Sequence, residues 1–92
     1  MRIDRLLFFL RLMKSRTQAQ ALVEQGHVRI DGKRATKPSD EVRAGAVLSL
    51  PLHGAVRIVR VATLPARRGP PAEARGHYEE LPANVSHQGA GD

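Results

Sequence analysis

Residues 2–37 read as two short amphipathic helices followed directly by an Asp-Gly hairpin, an order that few small folds accept. Ile3, Leu6, Leu7, Leu10 and Met13 recur at helical spacing, and Phe9 widens the stripe. A first helix is therefore predicted from an N-cap at Asp4 to about Leu12. Lys14-Ser15-Arg16 interrupts the pattern. Ser15 with Gln18, or Thr17 with Gln20, has the spacing of a capping box. A second helix is expected from about Arg16 to Gln25, with Ala19, Leu22 and Val23 inward. Gly26 stands where a helix end favours a left-handed residue, and His27 is expected to help cap that end. Val28-Arg29-Ile30, Asp31-Gly32 and Lys33-Arg34-Ala35 then carry a strong hairpin signal, since a type I′ turn needs positive φ at both central positions.

The rest of the chain adds strands. Val47 to Leu50 and Val56 to Val61 alternate as strands do, with Pro51 to Ala55 as their connector. The order implies an α+β domain in which two N-terminal helices pack on a small, mostly antiparallel sheet. Pro65 to Pro71 holds three prolines and Arg67-Arg68, so it reads as a turn or extended arm. Ala72 to Leu81 is compatible with a short helix carrying Tyr78. From Pro82 to Asp92 the chain offers few apolar anchors and is expected to be disordered. The expected division is a folded unit over 1–64, an arm over 65–81 and a tail over 82–92.

Charge narrows the partner. Residues 2–37 hold nine Lys or Arg against three acids, an excess of six that equals the net charge of the whole chain. Everything after Lys37 sums to zero. A basic face concentrated on one module is the footprint of a phosphate-backbone binder. A chain of 92 residues is enough for one small domain. It has no apolar run of membrane-spanning length, and its short N-terminal apolar stretch is cut by Arg11, unlike a signal peptide. With no cysteine, neither disulfides nor thiolate metal sites arise, and a cytoplasmic location is expected. The four histidines lack metal-ligand spacing, and no nucleophile stands in a catalytic motif, so neither enzyme activity nor a cofactor is expected.

Within the basic segment, Arg11, Lys14 and Arg16 are expected to converge at the N-terminus of the second helix, where backbone N–H groups and the helix dipole also favour an anion. Arg2 precedes the first helix and reaches the same face, while Lys33, Arg34 and Lys37 extend the track. For Arg5, Arg29 and Arg34 a solvated or salt-bridged face fits equally well. Only three aromatics occur, and Phe8 and Phe9 are assigned to the core, so no stacking platform for single strands is expected. Folded RNA read by shape and phosphate contacts is the better match.

Arg2-Ile3-Asp4-Arg5-Leu6-Leu7, Lys14-Ser15-Arg16, Gly26-His27-Val28-Arg29-Ile30-Asp31-Gly32 and Lys37-Pro38-Ser39 resemble the S4 RNA-binding domain over about residues 1–50. The resemblance implies an alpha-L motif whose RNA surface uses the two helices and the adjoining loop. The matching positions here are Arg2, Arg5, Arg11, Lys14, Ser15, Arg16, Lys33 and Lys37. Arg67 to Ala74 and Tyr78-Glu79-Glu80 further resemble the bacterial ribosome-associated heat-shock protein 15 family. That likeness implies a stress-response protein binding structured rRNA or tRNA on large ribosomal subunits that hold peptidyl-tRNA. Short S4 proteins of ribosome quality control begin with the same arginine-led helix. The chain departs from the heat-shock pattern in ending without a long basic extension, in Asp31-Gly32 for an Asn-Gly turn, and in Gly45-Ala46 for Gly-Asp.

Two other readings compete. Two short helices joined by a basic turn imitate a DNA-binding helix-turn-helix, although the second helix carries no cation after Arg16. The chain also fits an RNA-binding accessory of an RNA-modifying enzyme, since S4 modules are often fused to such enzymes.

Overall fold

The computed structural model describes residues 1–82, so the expected disorder of 82–92 lies outside the described residues except at Pro82. Two helices come first, α1 (Ile3–Phe9) and α2 (Arg16–Glu24). The strands β1 (Arg29–Ile30), β2 (Lys33–Arg34), β3 (Val47–Leu52) and β4 (Ala55–Val61) follow, then α3 (Pro71–Arg75) and β5 (Tyr78–Leu81). The five strands form one sheet in the order β2-β1-β3-β4-β5, with every neighbouring pair antiparallel. The predicted α+β architecture, two N-terminal helices on a small antiparallel sheet, is the one observed.

Several local details differ from the sequence expectation. α1 stops at Phe9, short of Leu12. Leu10 caps it, Arg11 takes a left-handed φ of 60°, the Arg11 amide donates to Phe8 O, and the Leu12 amide donates to Leu7 O. This is a Schellman stop with arginine where glycine is usual. No glycine announces it, so the apolar periodicity overran the real end. The stop turns Leu12 and Met13 back into the core. Asp4 is not the N-cap either. Arg2 occupies that position without a side-chain cap, and Asp4 lies buried inside the first turn.

The second helix behaves as its sequence suggests. Ser15 Oγ accepts from the Gln18 amide at 3.1 Å, which selects Ser15 over Thr17 as the cap. At the other end Gly26 (φ 81°) holds the left-handed position, with its amide on Val23 O and the His27 amide on Leu22 O. The His27 backbone closes the helix while its ring stays exposed. Asp31 (φ 52°) and Gly32 (φ 85°) make the expected hairpin turn.

A second such turn, His53 (φ 52°) and Gly54 (φ 80°), joins β3 to β4, so both strands run further into the expected connector. Pro51 is tolerated in β3 because β1 has already ended there, leaving a local edge. Tyr78 lies on β5, which pairs with β4 through Val61↔Tyr78 to Ile58↔Leu81, rather than on a helix. The pairing edge offered by β4 outweighs the weak helical tendency beyond Gly76.

Ile3, Leu6 and Leu7 of α1 and its cap Leu10 pack with Ala19 and Val23 of α2 over Leu48, Leu50, Val59 and Val61 of the sheet. Phe8 and Phe9, expected in the core, are only half-buried, because one stripe of a seven-residue helix is filled by the aliphatic residues. Leu22 is likewise only partly buried against the core. Leu6→Ala is therefore expected to cost about 3 kcal/mol of unfolding free energy, and Leu22→Ala about half that. Equal losses in chemical denaturation would contradict this ranking.

Candidate nucleic-acid interface

The centre of the basic face is an acid. Asp4 is fully buried and is the one buried polar or charged residue among the described residues. Its Oδ1 accepts from Arg2 Nε at 3.0 Å and from the Arg5 amide at 2.7 Å. Its Oδ2 accepts from an Arg2 terminal nitrogen at 3.1 Å, an Arg16 terminal nitrogen at 3.2 Å and Gln20 Nε2 at 3.0 Å. Burial pushes the Asp4 carboxyl up, but the donors from Arg2, Gln20, the Arg5 amide and Arg16 outweigh it and hold its pKa at about 2. At neutral pH one carboxylate thus fixes two guanidinium groups from different helices.

Those two arginines are anchored without being hidden. The Arg2 and Arg16 side chains remain 42% and 38% exposed, so part of each planar fork faces outward. Arg16 Nε is buried and has no hydrogen-bond partner among the described residues. Arg5 is exposed one residue further along α1. The Ile3 amide donates to Asp40 O and the Asp4 amide to Pro38 O, which seats the 36–40 loop against the start of α1. Asp40 accepts from the Thr36 and Lys37 amides, contacts that lower its pKa and shape the loop presenting exposed Lys37.

The candidate residues fall into two groups rather than one. Arg2, Arg5, Arg16 and Lys37 gather around Asp4 and the loop beside it. Arg11 and Lys14 lie in the inter-helix turn and line a cleft with Gln18. Arg11 Nε donates to Gly69 O, so part of its guanidinium holds the 62–70 segment against α1. Ser15 spends its oxygen on the cap, and Lys33 stands exposed on the hairpin strand β2. Asp31, in the hairpin turn, is occupied structurally: its Oδ1 accepts from the Val47 amide at 2.9 Å.

Sequence reasoning missed Asp4 and Gln20 as organisers, and it passed over Arg57, Arg68 and Arg75. An acid and a glutamine set among arginines at helical spacing were the available signal for the first pair. The others were masked by the zero net charge after Lys37. That sum conceals segregation, because Glu41, Glu73, Glu79 and Glu80 are each engaged by a cation while Arg68 and Arg75 have no carboxylate partner among the described residues.

The helix pair and small sheet that carry this site place the chain in a known class of module. The chain belongs to the S4 domain family, whose model matches residues 1–48. Small ribosomal subunit protein uS4 of Lacticaseibacillus casei is 51% identical over 49 residues, 53% of this chain. The chain spans 24% of that relative's length. Beyond the module, the whole chain is similar to the trimeric structure of Vibrio cholerae Heat Shock Protein 15, with a TM-score of 0.85, 28% identity, and 99% of this chain and 91% of that one covered. A solution structure of the hypothetical protein HP1423 gives a TM-score of 0.73 at 28% identity, covering 89% of this chain and 98% of that one.

Proposed function

We propose that this protein is a non-catalytic RNA-binding protein that recognises structured ribosomal RNA or tRNA on large ribosomal subunits stalled with peptidyl-tRNA, and that it aids their rescue or recycling. The observation that carries the reading is the Asp4 hub, which presents Arg2 and Arg16 as a fixed pair beside the exposed cations Arg5 and Lys37. Rigid, partly exposed guanidinium groups suit phosphate oxygens held at fixed spacing, as in a folded RNA. The module shared with small ribosomal subunit protein uS4 supports the ribosomal setting, and the likeness to Vibrio cholerae Heat Shock Protein 15 supports the stress-related one. A helix-turn-helix reading gains nothing, since α2 has nine residues and its one cation, Arg16, is bound to Asp4.

The test is co-sedimentation with separated small subunits, large subunits and whole ribosomes at two salt concentrations. Co-migration with large subunits, stronger when they carry peptidyl-tRNA, is the expected result. With about 4 to 6 phosphates neutralised, the log–log dependence of affinity on salt should have a slope of about −3 to −5. Equal binding to all particles and to unrelated structured RNAs would reduce the reading to a general RNA module. Preference for duplex DNA would overturn it.

A further inference from the structure

Beyond the Asp4 hub, a cleft of about 650 Å³ opens between the inter-helix turn, the β3–β4 turn, α3 and β5. Arg11, Lys14, Arg57, Arg68 and Arg75 all line it, and among the described residues no acidic one does. Between these cations lie apolar surfaces of Leu12, Leu52 and Tyr78. Three of the four arginines are held in place by other parts of the chain. Arg68 Nε donates to Phe8 O at 3.0 Å with its guanidinium over the Phe8 ring, 4.4 Å from the centroid. Arg57 is held by Glu80 and Arg11 by Gly69 O. We propose that this cleft binds one unpaired nucleotide of an RNA strand, its phosphate on Arg57, Arg68 and Arg75 and its base against Tyr78 and Leu52.

Four observations carry the proposal. Glu80 offsets the charge of Arg57, but Arg11, Lys14, Arg68 and Arg75 converge on the cleft without a carboxylate partner among the described residues; they focus a positive potential there, and the arginine forks match phosphate. The volume falls within the roughly 300–1,000 Å³ of small-ligand sites and suits a mononucleotide. Two wall residues, Arg11 (φ 60°) and His53 (φ 52°), keep left-handed backbones that glycine would hold without strain. Of the two, Arg11 both lines the cleft and reaches Gly69 O. Finally, Arg11 and Lys14 also belong to the candidate interface, so a strand leaving the helical RNA face runs into the cleft. Arg57, Arg68, Arg75 and Tyr78 lie beyond the matched residues 1–48, so this site is one the S4 module alone would lack. The inference rests on the RNA-binding reading above and extends it to an unpaired segment.

The experiment compares an RNA hairpin with a blunt stem and the same hairpin carrying a short unpaired extension, by fluorescence anisotropy against the full chain and Arg75→Ala. Arg75 is exposed and has no ion-pair partner among the described residues, so its removal should not disturb the fold. The extension is expected to tighten binding about tenfold, the scale of one base–aromatic stacking contact. Arg75→Ala should abolish that gain while changing blunt-hairpin affinity little. The ring resonances of Tyr78, the only tyrosine, should shift with the extended RNA alone. Blunt binding without an Arg75-dependent gain would overturn the cleft and leave the RNA reading intact. Binding of neither RNA would remove both. Displacement of the Tyr78 ring by an acidic peptide, with no response to the extension, would assign the cleft to a protein ligand and overturn the proposal.

Discussion

Asp4→Ala is expected to lose about 3 kcal/mol of unfolding free energy at neutral pH, a large part of the stability of so small a domain. The change strands two guanidinium groups, the Gln20 amide and the Arg5 backbone N–H at a site with no other acceptor assigned to them. The partial exposure of Arg2 and Arg16 lets water recover some of this, which keeps the cost below that of a wholly buried pair. The same interaction has a pH signature. Asp4 is depressed from 3.8 to about 2, so its contribution is complete above about pH 4 and lost as pH falls through about 2. That shift corresponds to about 2 kcal/mol. Urea unfolding followed across pH 2 to 5 should show this acid-labile component in the parent and not in Asp4→Ala. A variant as stable as the parent at pH 7 would mean the hub does not hold the helix pair.

Reversing two exposed cations gives the largest expected effect on binding. Lys14 and Lys37 are exposed and carry no ion pair among the described residues, so Lys14→Glu with Lys37→Glu should fold normally, with unchanged thermal unfolding. By counterion release, losing two phosphate contacts should flatten the salt slope by about 1.5 to 2 and weaken binding about 100-fold at roughly 50 mM salt, with little difference near 1 M. Arg16→Ala is a poorer probe, because it also removes a partner of buried Asp4 and mixes stability with affinity. A folded Lys14, Lys37 double variant with the parent's slope would show that RNA does not use this face.

Features set by near neighbours could be read along the chain. The apolar spacing of Ile3, Leu6, Leu7 and Leu10, the Ser15 cap, Gly26 and the Asp31-Gly32 turn each depend on residues within about one helical turn, and each stands where expected. The end of α1 was not legible, since Arg11 fills a position usually marked by glycine. Nor was β5, whose residues become a strand only because β4 offers them an edge.

By itself, then, the sequence determined the two helices, the first hairpin, the two long strands and the concentration of charge before residue 38. Only the tertiary structure decided which cations are free and which are fixed. Arg16 meets Asp4 across 12 positions, Gln20 across 16, Arg11 meets Gly69 across 58 and Arg68 meets Phe8 across 60. Propensity and periodicity act over a few residues. The partner of a charge is chosen by what the folded core brings beside it, and that is why both the Asp4 hub and the arginine cleft emerge only from the packed chain.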